Sequence, residues 1–449
     1  MTTQKLTTQK LTTQKLTTQK LTTQNATAPP GPAAPTDPVT THAANEALAE
    51  LLFSPEGRVD PYARYRRLRE AVPVHHSTMG VWVLTRYDDV NDALRSRQVG
   101  KDVRTFMAGR FTGTWEQHPA LGKLGSSMLW TNPPEHTRLR RIVNRVFTTN
   151  RMAAHQEFIR RRVDELLAPL ADAGGGDICN DLCFPLPLSV VAQLVGVPQE
   201  EAPLLREPIR DFQRTFELGM TAADLRQADD AADFLDDYYG DLVRRKQQHR
   251  GDDLLSALID TEDEGERLSF AELAQMCHMI IAAGSETTTY FLTNGIRLFC
   301  EHPDQADLVR ADPGLLGRAI DEVLRFDPPA HMVPRTTNET VEIGGVAVPG
   351  GARLMAMIAA ANRDPTRFRD PDTFDVTRDE GPSISFGAGI HSCAGWRLAR
   401  MQAEAVFPAV LGRFAELTVT RPPRPRPRVA FPQVEALHVG LRGGSGTAA

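Results

Sequence analysis

Beyond residue 24 this 449-residue chain almost lacks lysine: only Lys101, Lys123 and Lys246 occur there. Long apolar runs are missing too, since none approaches the roughly 18 residues of a membrane-spanning helix. A helical membrane protein is thereby excluded, and a soluble, cytoplasmic chain is expected. Cysteine is sparse, at positions 179, 183, 277, 300 and 393. An odd, scattered set without a secretory signal excludes a disulfide framework and fits a reducing compartment. Cys179 and Cys183 have no second Cys/His pair nearby in sequence to complete a zinc site, so they read as ordinary thiols. With a net charge of −6, nothing marks the chain as a nucleic-acid binder.

What is present begins with a repeat. Residues 2–24 hold four copies of TTQKL and the start of a fifth. A five-residue period matches neither a helix nor a strand, so its leucines line no face. The tail's four lysines carry +4, so the rest of the chain carries −10 against −6 for the whole. Residues 26–42, ATAPPGPAAPTDPVTTH, read as an extended proline-rich linker. Disorder is therefore expected over 1–42, a single folded domain over 43–442, and a flexible C-terminus over 443–449. Length alone would suggest about three domains, but the body shows no internal linker. Its 41% hydrophobic and 24% charged residues are ordinary for a globular protein large enough to enclose a pocket.

Most of the body has helical periodicity, with strand-like runs at 72–75, 81–84 and 340–353. The last of these predicts a hairpin turning at Gly344-Gly345. Residues 96–130 show no clear period and predict a long loop region. The fold class expected is mainly α with a smaller β region (α+β). The clearest helix spans about 269–301 and opens on a Ser269/Glu272 capping box. It would be about 50 Å long. Its apolar course is interrupted at Ser285, Glu286, Thr287, Thr288 and Thr289.

Residues 386–395 read FGAGIHSCAG, a glycine-rich loop leading into a helix. Cys393 within it could be a core thiol, a nucleophile or a metal ligand. Glycines let a backbone turn at positive φ and pass close to a flat ligand. A helix N-terminus just beyond the cysteine favours a thiolate.

Together with separated motifs elsewhere, this stretch resembles the cytochrome P450 family, specifically its soluble bacterial members, over about residues 50–440. Phe386, Gly387, Gly389, His391, Cys393 and Gly395 match the family's haem signature without departure. The resemblance implies a long central helix over a buried haem b, with Cys393 as the thiolate ligand of its iron. Such a ligand pushes electron density toward O–O cleavage. Phe386, Gly387 and Gly395 would shape the haem-facing loop. Glu286 and Thr287, in AGSETT, match the oxygen-activation motif. There Thr287 would hydrogen-bond the activated oxygen species and Glu286 would relay protons through water, with the helix locally opened. Glu322 and Arg325 match the Glu-x-x-Arg pair that supports the haem loop. His136, Arg140, Arg335 and His391 match the positions that bind the haem propionates. Pro408 departs from expectation, since it should kink the helix following Cys393.

Too short, and without phosphate-binding glycine motifs, the chain holds no fused flavin reductase. The resemblance therefore implies a ferredoxin with its NAD(P)H-dependent reductase as partner, docking on Arg138, Arg141, Arg145, Arg397 and Arg400. By family position, the substrate candidates are Phe106, Met107, Phe111, Trp115, Phe212, Phe216, His331 to Val333, and Phe431. They suggest a mainly apolar organic molecule, and the arginine-rich, lysine-poor composition is similar to that of actinobacterial natural-product-tailoring members. Hydroxylation or epoxidation by a monomeric monooxygenase using O2 is expected. Ring closure, aryl coupling or desaturation, and a non-catalytic haem sensor, are the alternatives.

Overall fold

The capping box at Ser269 is formed: its hydroxyl accepts the Glu272 N–H at 3.3 Å, and the Glu272 carboxylate accepts the Ser269 N–H at 2.7 Å. From this cap the central helix runs over Phe270–Glu301 in the computed structural model of the protein. It is buried on nearly every side, as a helix through the middle of a large core must be. Helices Pro185–Val195, Ala222–Gln248, Leu316–Phe326 and Trp396–Arg413 pack against it. The polar patch at mid-length does not open the helix. Ser285, Thr287 and Thr289 instead donate to the carbonyls of Ile281, Ala283 and Ser285, at 2.7, 2.6 and 2.9 Å. Such back-bonding satisfies a hydroxyl inside an apolar helix without breaking the ladder.

The structure describes residues 37–108, 115–217, 220–262, 265–426 and 428–443. The TTQKL repeats, Phe111 and residues 444–449 lie outside them. Beside the helices stands a five-stranded sheet in the order Val74–His76, Val81–Leu84, Arg353–Ala356, Val333–Thr337, Val99–Gly100. All its neighbours are antiparallel except Val81–Leu84 with Arg353–Ala356. The hairpin Val341–Ile343/Val346–Val348 turns at Gly344-Gly345 as expected. A further sheet joins Gly175–Asp177, His438–Gly443 and Phe414–Val419. The class is α-rich with smaller β regions.

Two expectations need correction. The first described helix, Pro38–Phe53, begins inside the expected linker. Asp37 caps it by accepting the Val39 N–H, and Pro38 occupies a first-turn position where a missing N–H costs nothing. Residues 96–130 are not simply a loop, because they contain the strand Val99–Gly100 and helices Val103–Ala108 and Pro119–Ser126. Helix Trp396–Arg413 runs through Pro408, which lies on its exposed side.

One buried ion pair ties the helices to the cysteine loop. Arg325 and Glu322 meet in a two-point bond, at 2.7 and 2.8 Å, and both are nearly inaccessible. Arg325 also donates to the carbonyls of Asn362, Pro371 and Thr373, at 3.0, 2.8 and 3.2 Å. Asn362 in turn accepts the Ile384 N–H at 3.0 Å and donates to the Ser385 hydroxyl at 2.8 Å. Replacing Arg325 by Met leaves Glu322 buried with less compensation and should cost about 3–5 kcal/mol. Lysine should not restore it, lacking the planar fork. Denaturant unfolding checks both.

Candidate functional site

Cys393 sits at the end of the loop that Asn362 and Ser385 hold down. Its N–H donates to the Phe386 carbonyl at 2.8 Å, closing the loop just before helix Trp396–Arg413. Gly389 has φ +69°, and a Cβ there would lie 2.2 Å from the Leu94 carbonyl oxygen, so no larger residue fits. Cys393 itself is exposed. The protein crowding it pushes its thiol pKa up, while the Gly395 and Trp396 N–H groups and the Arg140 guanidinium favour the thiolate.

The same place gathers basic side chains. His136 and His391 lie with ring centroids 4.3 Å apart and their planes tilted by 55°, and Arg140 donates to the Ser392 carbonyl at 2.9 Å. Arg335, on strand Val333–Thr337, is buried, and burial lowers its pKa to about 10. Burial first, then Lys101, Arg335, His136 and Arg140, push His391 down to about 2. Burial, Arg140 and Lys101 push His136 down to about 4. Lys101 therefore belongs to this cluster, and sequence reasoning missed it. Burial, and then Arg335, hold its pKa well below the usual lysine value. Its ammonium is hydrogen-bonded to the Leu129 carbonyl and lies 5.6 Å from the Trp130 ring. No acid is among the groups acting on these pKa values. Such a set calls for an anionic ligand.

Beside the cluster lies a cavity of about 240 Å³. Phe106, Phe212, Phe216, Met332, Val333 and Phe431 line it, as expected. Met107 is instead fully buried in the core. His331 is taken up by Tyr65 and Asp327, at 2.9 and 3.3 Å, and Trp115 is absent from the lining. Ala283 and Thr287 bring the central helix to the cavity wall. Glu286, next to Thr287, is fully buried with its carboxylate 3.7 Å from the Arg428 guanidinium.

These residues fit a haem. The exposed thiol would face the iron, and the cation cluster would meet two carboxylates. Gly395 has no protein atom within 4 Å of where a Cβ would stand, so no contact within the protein demands a glycine there. The chain matches the Cytochrome P450 family over residues 211–437. It is 36% identical over 382 residues to cytochrome P450 107B1 of Saccharopolyspora erythraea, covering 83% of this chain and 92% of that protein. The chain belongs to the cytochrome P450 family. It is also 36% identical to 6-deoxyerythronolide B hydroxylase of the same organism, over 82% of this chain and 92% of that one. Among solved structures, P450BioI in complex with hexadec-9Z-enoic acid-ligated acyl carrier protein is similar at a TM-score of 0.80 and 30% identity. That match covers 86% of this chain and all of the other. Cytochromes P450 bind haem b through a cysteine thiolate, and relatives of this chain are named monooxygenases and hydroxylases. This P450 is accordingly an oxidoreductase.

Among the expected docking arginines, Arg138 and Arg400 are committed to acids. Arg138 pairs with Glu135 and Glu272, and Arg400 with Asp321. Arg145 donates to the Glu262 carbonyl at 2.6 Å, whereas Arg397 is exposed. Among the described residues no helix is long and apolar enough to cross a membrane.

The histidines of the cluster set a pH dependence. Folded His136 takes its proton near pH 4, against 6.5 for an unperturbed histidine. The unfolded chain therefore binds more protons between those values, and this stability is lost as pH falls from about 6.5 to about 4. Denaturant midpoints of the haem-free protein should fall across that window, and His136→Gln should flatten the slope.

Proposed function

We propose that this P450 is a monooxygenase of a mainly apolar small organic molecule, with Cys393 as the thiolate ligand of haem b. The observation that carries the reading is the exposed Cys393 thiol, with its N–H donors, beside a cluster of arginine, lysine and histidine side chains on whose pKa values no carboxylate acts. His136, Arg140, Arg335 and His391, joined by Lys101, hold the propionates. Phe386, Gly387 and Gly395 form the surrounding loop. Haem, when bound, supplies the iron that activates dioxygen. Two electrons and two protons then place one oxygen atom in a C–H or C=C bond and release the other as water.

The chain's own residues manage the protons. The Thr287 hydroxyl, on the cavity wall, holds a proton that it now donates to the Ala283 carbonyl at 2.6 Å. Glu286, its carboxylate 3.7 Å from the Arg428 guanidinium, passes protons toward it through water. Electrons come from a ferredoxin and its NAD(P)H-dependent reductase, docking near exposed Arg397. The protein works as a cytoplasmic monomer. A polyketide- or macrolide-type secondary metabolite is the favoured substrate class, on the likeness to 6-deoxyerythronolide B hydroxylase and the aromatic cavity wall.

The reduced protein should bind carbon monoxide with the long-wavelength band of thiolate ligation. Cys393→Ser should abolish that band; an unchanged spectrum would sink the assignment. Thr287→Ala should keep the band but divert electrons to peroxide, lowering product per electron pair about tenfold or more. Undiminished coupling would mean another group handles the proton.

A further inference from the structure

The wall of the cavity is apolar along most of its length, but three amides and imidazoles gather where the central helix passes under Phe212. We infer that His278, with Gln275 and Gln213, anchors a hydroxyl of the substrate remote from the carbon that is oxidised. This rests on the monooxygenase reading above and specifies its substrate.

His278 is 4% exposed, and its Nε2 has no hydrogen-bond partner. The ring is held between Phe212 and Tyr239, with centroids 4.2 and 5.8 Å away. Burial and, secondarily, Lys123 push its pKa down to about 3, so the imidazole is neutral. It offers one donor and one acceptor. One turn earlier, Gln275 donates its amide N–H to the Lys123 carbonyl at 3.0 Å, and its Oε1 is buried without a partner. Gln213 comes from the facing segment and is fixed by an N–H donated to the Ala282 carbonyl at 3.0 Å. All three side chains line the cavity.

A buried polar atom without a partner costs stability, and native folds hold few of them. Two on successive turns of one cavity wall are accounted for by a ligand that pairs with both. A hydroxyl does so, donating to Gln275 Oε1 while hydrogen-bonding His278. A carboxylate fits poorly: Lys123, the cation acting on His278, is engaged by Asp236 at 2.5 Å. His278 and Thr287 are nine residues apart on one helix, so anchor and reaction centre are separated by about 13 Å along its axis. The substrate class is then an apolar body long enough to span that distance, bearing a neutral hydroxyl at its far end.

Imidazoles N-substituted with tails of increasing length provide the test. Their ring nitrogen ligates the haem iron and reports binding by a spectral shift, whatever the natural substrate. At each length, tails ending in methyl, hydroxyl and carboxylate are titrated against the haem-loaded protein. At one tail length the hydroxyl member should bind roughly tenfold tighter than the methyl member. His278→Phe should erase that difference, and Gln275→Leu, which leaves the aromatic packing alone, should reduce it. The anchor is overturned by the absence of a hydroxyl gain at every length, by a gain surviving both substitutions, or by a larger gain for the carboxylate. Absence of any azole shift would overturn the haem reading, and the anchor with it.

Discussion

The site depends on the two-point bond between Glu322 and Arg325. Removed from water, each charge needs the other, and geometry this complete leaves few orphaned lone pairs or protons. Arg325 uses its remaining donors on three carbonyls of the segment 362–373, and Glu322 accepts the Asp375 N–H at 2.9 Å. That segment therefore has one position relative to helix Leu316–Phe326. Asn362 passes the constraint to Ile384 and Ser385, one residue before the loop whose end is Cys393. The placement of Cys393 is thus inherited from a core ion pair some seventy residues upstream of it. A salt bridge on the surface could not do this, being worth little and freely rearranged.

On the other side of the cavity the central helix supplies rigidity of a different kind. Its hydroxyls donate to carbonyls of the preceding turn, so the helix stays continuous while presenting Ala283 and Thr287 to the cavity. In the proposed reaction the Thr287 hydroxyl would turn from the Ala283 carbonyl toward a reacting oxygen. That turn is a side-chain rotation, and no backbone hydrogen bond need break. Glu286 points away from this face, toward Arg428, which lies 3.5 Å from the Glu217 carboxylate as well. The acid is thereby connected to the segment carrying Phe212 and Phe216, which forms part of the cavity wall.

Much of this was legible in the sequence because it was local. The capping box, the i, i+3 Glu322/Arg325 pair and the cysteine loop each lie within a dozen residues, where spacing states the geometry. The helix start at Asp37-Pro38 carried a legible cap too, but the surrounding prolines outweighed it. Helices such as Val103–Ala108 span under two turns, too short for a period to show. Lys101 and His278 went unread for another reason: neither belongs to a motif, and each acquires meaning only from partners distant in the chain. Family position also misled where packing decides. Met107 and His331 sit near the cavity in sequence, but the core and the Tyr65–Asp327 bonds claim them.

The cation cluster has a consequence for cofactor choice. Lys101, Arg140 and Arg335 crowd one region beside two neutral histidines, and among the described residues no carboxylate acts on their pKa values, so like charges are held close there. A tetrapyrrole with free carboxylates acts as the missing counter-ion and relieves their repulsion. An esterified or neutral porphyrin of identical shape would fill the same space and leave the repulsion in place. Selection of the cofactor would then be exercised by charge as well as by the thiolate.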